Sequence, residues 1–292
     1  MAGSCSSYSP LCEQTWLNGN GQGGYRESFA MFEKMNSIDF LDASVKTLFM
    51  QLFEAGLQAA DPALAIQRML KKKGQTLWVK KRPYSLTQFK RVMVVGAGKA
   101  SGRMAQAVER QLGHTLVDGL VVVKDGHGCS TVITRIREAR HPVPDQRGMR
   151  AARALLTFVQ SLTSEDLLIA LISGGASSLL PLPAPGVSLS DKQHTTNLLL
   201  RSGATIHEIN TVRKHLSAIK GGQLVASTPA TVIGLIVSDV LGDDLGTIGS
   251  GLTACDPTTF GDAKQVLQQH RLWPVVSASV RAHLHIGDTG NS

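Results

Sequence analysis

The sequence predicts an α/β protein built on a doubly wound, mostly parallel sheet, with helices layered on both faces. Three observations carry that reading. Short continuous apolar runs, Val92–Val95, Leu167–Ile172 and Val232–Val237, have the composition of strands buried on both sides. Amphipathic helical stretches alternate with them, which is the pattern of β-α-β units. Two of the strands run straight into glycine-rich turns that open helices, where sheets of this kind hold ligands.

In chain order, residues 1–37 are rich in Ser, Gly and Asn without periodicity and are expected to form a flexible extension, with Met31 or Met35 as alternative starts. From Ile38, Leu41, Val45, Leu48, Phe49, Leu52 and Phe53 fall at helical spacing. Asp61 and Pro62 then supply the N-cap and first position of a second helix carrying Leu64, Ile66, Met69 and Leu70. After Val92–Val95, the next helix sets Ala100, Met104, Val108 and Leu112 on one face and stops at Gly113. Further strands are expected at Leu120–Val123 and Val132–Ala139. One helix carries Ala152, Leu155, Leu156 and Val159, and another runs from about Asp191 to Leu200 behind a capping box, Ser188 with Asp191 or Ser190 with Gln193. The domain is expected over residues 38–286, followed by a polar tail, 287–292. No internal repeat is visible.

The net charge of +8 has a local origin. Lys71 to Arg91 carries eight basic residues and no acidic one, and the remaining 22 Lys and Arg are matched by 22 Asp and Glu. That patch holds only Trp78, Tyr84 and Phe89 as aromatics, so it lacks the stacking platform of single-strand and RNA binders, and no nucleic-acid partner is expected. It reads instead as a solvated basic hairpin or helix end. Cys5, Cys12, Cys129 and Cys255 form no CxxC pair and no metal-ligand spacing. No apolar run approaches the roughly 18 residues of a membrane span, and residues 1–30 have no signal pattern. A cytoplasmic protein without a membrane partner is expected.

Four segments carry candidate chemistry. GAGKASG, Gly96 to Gly102, follows a strand and opens a helix. Gly96 and Gly98 allow a tight turn and close backbone approach, and the helix start is expected to offer free amides to an anion, with Ser101 beside them. The spacing is neither a dinucleotide fingerprint nor a P-loop, and no acidic residue ends the next strand, which runs into Lys124. A purely structural turn and a phosphate turn both stand at this point. Lys99 favours the second, because an ammonium in the first turn of a helix opposes the dipole unless an anion joins it.

ISGGASSLL, from Ile172, is a second anion-ready turn with Ser173, Gly174, Gly175, Ser177 and Ser178. ATIHEINTVRKHLSAIKGG, from Ala204, reads as helix with a Thr205–Glu208 capping box. Arg213 and Lys220 would lie on nearly one face, with Lys214 adjacent, as a carboxylate or phosphate clamp or as an ordinary solvated basic face. SDVLGDD ends a strand with Asp239 and then Asp243, positions suited to a Mg²⁺ ion or to capping a turn. His127 in DGHG and His141 in HPVPD are polar site residues or structural hydrogen-bonders.

Taken in order, GAGKA, KDGH, HPVPD, ISGGASSLL, DKQ, SGATIHEINTVRKHLSAIKGG, SDVLGDD and SGLTACDPTT closely resemble the class II glycerate kinases, over about Asp39 to His283. The resemblance implies a Rossmann-like first domain and ATP-dependent phosphorylation of glycerate to 2-phosphoglycerate, with Mg²⁺ assisting. Some relatives carry the label hydroxypyruvate reductase, a possible oxidoreductase reading. By motif, Lys99 looks like the phosphate-handling lysine, Ser173 to Ser177 like the glycine-rich ligand loop, and Arg213 like a site arginine. Ala176 stands where the family's GGGS turn has glycine, so a methyl group is expected to intrude. Leu252 stands for the proline of SGPT and is expected to loosen that loop. The family's second, MOFRL-type domain has no counterpart in this sequence, so a non-catalytic anion-binding chain, or one completed by a homodimer or another subunit, is the alternative expectation.

Overall fold

The computed structural model describes residues 13–18 and 42–290. Six parallel strands form the main sheet: β1 (Glu13–Asn18), β5 (Arg91–Ala97), β6 (Leu116–Lys124), β7 (Thr134–Ala139), β8 (Asp166–Ile172) and β9 (Thr231–Ser238). Their order is β1-β9-β8-β5-β6-β7. The chain winds outward from β5 to β7, then returns to the other side of β5 for β8 and β9, so the winding reverses between β5 and β8. Residues 1–12 and 19–41 lie outside the described residues, and within the stretch read as an extension Glu13–Asn18 pairs along β9, Glu13 opposite Ile233.

Alternation along the buried strands divides the core in two. Val92, Val94, Leu167, Ile169, Leu171, Ile233 and Leu235 face one side and pack with α3 (Ser101–Leu112) and α2 (Pro62–Met69). Met93, Val95, Leu168, Ala170, Ile172 and Ile236 face the other, against α4 (Gln146–Gln160) and the helical turn Ala176–Leu179. This is the expected doubly wound, three-layer fold. A third apolar cluster joins α5 (Leu189–Arg201), α6 (Ile206–His215), α7 (Phe260–Gln269) and α8 (Ala278–Thr289) through Leu199, Val212, Leu267 and Leu284.

Local signals behave as their chemistry dictates. Asp61 accepts the amides of Ala63 and Leu64 to cap α2. Ser188 with Asp191 forms the capping box of α5, and Thr205 with Glu208 that of α6. Helix α1 (Ala43–Ala59) leaves Val45, Leu48, Phe49 and Leu52 exposed.

The basic stretch takes the hairpin alternative and extends it by one strand, as the antiparallel sheet β2 (Leu70–Lys73), β3 (Thr76–Val79) and β4 (Arg82–Ser85), which buries Leu77, Val79 and Tyr84 under its solvated lysines. One segment differs from expectation. Helix α6 stops at His215 rather than continuing to Lys220, because the chain turns at Leu216 to pair Ser217 with Pro183. Lys220 therefore lies in a loop, not two turns along the helix from Arg213. Among the described residues no helix is long and apolar enough to cross a membrane.

Candidate active site

The carboxyl ends of β5 and β8 are neighbours in the sheet, Ala97 opposite Ile172, so their two glycine turns meet at the reversal of winding. They interlock. Lys99 donates its amide to the Gly174 carbonyl at 2.9 Å, and Ser173 donates its amide to Ala97 at 3.0 Å. The Ala100 amide donates to Ser173 Oγ at 3.0 Å, while Ser101 Oγ donates to the Leu171 carbonyl at 3.0 Å and lies 3.1 Å from Ser173 Oγ. The Ser101 amide bonds to the Gly98 carbonyl.

These bonds revise the reading of the turn. The amides at residues 99–101, expected to be free for an anion, are spent inside the protein, and the Ser101 and Ser173 hydroxyls are buried in the joint between turns. Gly96 has a sheet role, since a β-carbon there would lie 2.6 Å from the Leu171 carbonyl oxygen. Gly98, at φ +138°, has no room for a side chain beside Ser173.

What remains open to a ligand is a ring of polar side chains above the joint. Gly174 and Gly175 form its floor. A β-carbon on Gly174 would lie 2.5 Å from Asp239 Oδ2, and one on Gly175 would lie 3.1 Å from His141 Nε2 and 3.5 Å from Lys99 Cγ. Lys99, His141 and Asp239 thus converge on one glycine pair, each contributed from the end of a different strand. Lys99 and Asp239 have no ion-pair or hydrogen-bond partner for their side chains among the described residues.

The electrostatics agree with the geometry. Burial, and then the charge of Lys99 and Lys124, hold the His141 imidazole below its usual value. Burial and Lys124 do the same for His127, opposed by its hydrogen bond to the Lys99 backbone. Both imidazoles are thus held toward the neutral form beside Lys99 and Lys124. Sequence spacing alone did not group His127, His141 and Lys124 with Lys99, because five strand ends meet only in the fold.

Beyond this floor, Ser177 Oγ lies 2.8 Å from Ser250 Oγ, which in turn donates to Asn210 Oδ1 at 3.1 Å. Lys220 Nζ donates to the Ser177 carbonyl at 2.9 Å. Arg213, from α6, makes no hydrogen bond to protein among the described residues, and its charge acts on that of Lys220. Lys214 points elsewhere. It is bound to Asp256 at 2.7 Å in a buried pair that pins the segment before α7. Asp244, not Asp243, is committed to its turn, accepting Thr247 Oγ1 at 2.5 Å and the Gly246 amide at 3.1 Å. Among the described residues no group of three or more His, Cys, Asp or Glu side chains is assembled. Asp239 is the carboxylate placed against Gly174, and one carboxylate suits only an ion that completes its shell with water and phosphate oxygens, as Mg²⁺ does.

Ala176 and Leu252 do not disturb the cleft. Both are buried in the apolar cluster behind it, within van der Waals reach of the space beside Gly249, so the methyl points away from the ligand face and the leucine anchors its loop.

The fold and its ring of polar groups define the class, an open doubly wound α/β domain whose winding reversal is lined by uncommitted cations. The family model described as "Domain of unknown function (DUF4147)" matches residues 48–285, and the chain belongs to that family. It is 41% identical over 246 residues to the glycerate 2-kinase of Pyrococcus horikoshii, covering 84% of this chain and 55% of that protein. It is 44% identical over 230 residues to a putative hydroxypyruvate reductase of Agrobacterium vitis, covering 78% of this chain and 49% of the relative. The crystal structure of glycerate kinase from Thermotoga maritima superposes with a TM-score of 0.72 at 38% identity, over 83% of this chain and 55% of that one. The chain spans about half the length of the curated relatives it matches.

Proposed function

We propose that this chain is the glycine-turn half of an ATP-dependent glycerate kinase that forms 2-phosphoglycerate. The observation that carries the reading is the convergence of unpaired Lys99 and Asp239 on Gly174 and Gly175, a floor with no side chain to keep a phosphate away. Lys99, with Lys124 behind it, would neutralise charge on the transferring phosphoryl group. Asp239, with Asp243, would hold Mg²⁺, which supplies further neutralisation when bound. Neutral His127 and His141 would donate to phosphate oxygens without adding charge, and Arg213 with Lys220 would take the glycerate carboxylate. Phosphoryl transfer of this kind rests on positioning, and no covalent intermediate is needed.

The names of the Pyrococcus horikoshii and Thermotoga maritima relatives support this reading. The Agrobacterium vitis name points to hydride transfer. Against that reading, β6 ends in Lys124, where a dinucleotide ribose would want an acid. Among the described residues Cys129 and Cys255 are thiols rather than members of a disulfide, which suits a cytoplasmic setting.

The test is titration with ATP and D-glycerate in Mg²⁺ followed by product analysis. It is run on this chain alone and on this chain fused to the part of the Pyrococcus horikoshii relative outside the match. Binding by both, with 2-phosphoglycerate from the fusion, is expected. Reduction of hydroxypyruvate by a nicotinamide cofactor without phosphorylation would overturn the proposal, and binding without turnover in the fusion would leave an anion-binding module.

A further inference from the structure

Among the described residues, buried charges are almost all answered. Asp166 is met by Arg91 and Thr163, Glu109 accepts the amides of Val132, Ile133 and Thr134, and Lys214 is paired with Asp256. Lys192 and Lys220 are the exceptions. They are 6% and 0% exposed, and each has one protein acceptor, the Leu182 carbonyl at 3.3 Å and the Ser177 carbonyl at 2.9 Å. Both acceptors lie on the segment that follows the second glycine turn, so the two ammoniums reach one short stretch of chain from different directions. Each retains N–H donors with no acceptor, and the half-buried guanidinium of Arg213 stands beside them with none of its five spent on protein.

Among the described residues no carboxylate answers this cluster. The neighbouring Asp191 is used by Ser188 and Ser279 at the start of α5, and Glu208 by Thr205 and His270. One turn along α5 from Lys192, the buried hydroxyl of Thr195 also lacks a partner. Three cations of one sign, enclosed together without a counter-charge, oppose folding unless something else supplies the negative charge. Burial first, and mutual repulsion second, depress the affinity of both lysines for their protons.

We propose that Lys192, Arg213 and Lys220 form a seat for one small oxyanion, and that Lys192 is a specificity-determining residue of that seat. The inference deepens the glycerate kinase reading by adding Lys192 and setting Lys214 aside, and it rests on that reading only for the identity of the oxyanion. Two sources share the chemistry, the carboxylate of a hydroxy acid and a phosphate of the nucleotide. The same enclosure rejects the neutral analogue, because glycerol would leave the cations unanswered and their donors unpaired.

The experiment compares wild type with Lys192→Met and Lys192→Arg, measuring the thermal midpoint without ligand and then affinities for D-glycerate, glycerol, inorganic phosphate and ADP. Methionine preserves buried volume while removing the charge, so the ligand-free Lys192→Met protein should melt at or above the wild-type midpoint. Its affinity for D-glycerate should fall at least tenfold with ADP unchanged if the seat takes the carboxylate. If the seat takes a phosphate, ADP and inorganic phosphate should weaken tenfold and D-glycerate should not. Lys192→Arg should keep most of the affinity in either case.

A lower midpoint with every affinity retained would make Lys192 a structural lysine and overturn the seat, as would equal binding of glycerol and D-glycerate by wild type with ADP and phosphate affinities also unmoved by Lys192→Met. A seat that binds D-glycerate in a fusion that transfers no phosphate would sink the kinase reading and leave the seat standing. Phosphorylation indifferent to Lys192→Met would do the reverse.

Discussion

A side chain on Gly98 and the hydroxyl of Ser173 would need the same space: a β-carbon at residue 98 would lie 2.0 Å from Ser173 Oγ. The backbone there has φ +138°, so Gly98→Ala adds strain to the clash and should cost about 2–5 kcal/mol of stability. Urea unfolding measures it. An alanine variant within about 0.5 kcal/mol of wild type would show that the joint between the turns is soft.

Lys99 sits above that joint and off the buried face of α3, so Lys99→Ala should leave the unfolding midpoint unchanged. Binding of ATP or phosphate should weaken by about tenfold or more, equivalent to about 1.4 kcal/mol. Equal affinities by calorimetry would remove Lys99 from the site.

At the opposite, amino-terminal end of the central strands β5 and β8, Asp166 is buried against Arg91, with contacts of 2.8 and 2.7 Å, and accepts from Thr163. The Arg91 hydrogen bond is the main cause that lowers its carboxyl from 3.8 to about 2. Because the folded value is depressed, the associated stability is present above the unfolded value and is lost as pH falls through about 2. Asp166→Asn should lower stability at pH 7 by about 2 kcal/mol and flatten its fall between pH 5 and 2. An unchanged acid profile would assign the acid sensitivity to other carboxylates.

Ala176→Gly tests where the methyl points. Restoring the glycine of the resembled motif should leave ligand affinity within twofold and cost about 1 kcal/mol, because it empties core volume and loosens a helical turn. A large gain in affinity would place the methyl in the cleft after all.

The lysine-rich sheet β2-β3-β4 should show no sequence-selective nucleic-acid binding at physiological salt, since Tyr84 is buried and the residues opposite Trp78 are Lys71 and Pro83, not aromatics. Submicromolar, sequence-dependent retention in filter binding would overturn this.

The parts of the fold legible in the sequence were those whose burial leaves a local signature. Strands β5, β8 and β9 are apolar without interruption because both of their faces are covered, and α2, α5 and α6 announce their starts with capping side chains. The β2-β3-β4 sheet was legible only as a hairpin or a helix end, because Lys71–Lys73 and Lys80–Arg82 mask the inward residues Leu70, Leu77 and Val79. Apolar spacing through Leu216 and Ile219 also mimics helix after α6 has ended.

The site was legible only in part for a related reason. Glycine turns are local, whereas the pairing of Ser101 with Ser173, and of Lys214 with Asp256, depends on segments 72 and 42 residues apart. A signal for Lys192 did exist. It shares the buried face of α5 with Leu189, Thr195 and Leu199, and a lysine on such a face asks for a partner.

The order of strands also fixes when the cleft can exist during synthesis. The first glycine turn leaves the ribosome with β5, but its locking serine arrives with β8 about 75 residues later, and Asp239 follows only after β9. A nascent chain carrying β5, β6 and β7 has the lysine of the site without the floor beneath it, and one flank of β5 unpaired. Translation must pass residue 239 before a ligand can reward folding, so ligand cannot rescue shorter nascent chains, and chaperones would be most needed between β7 and β9.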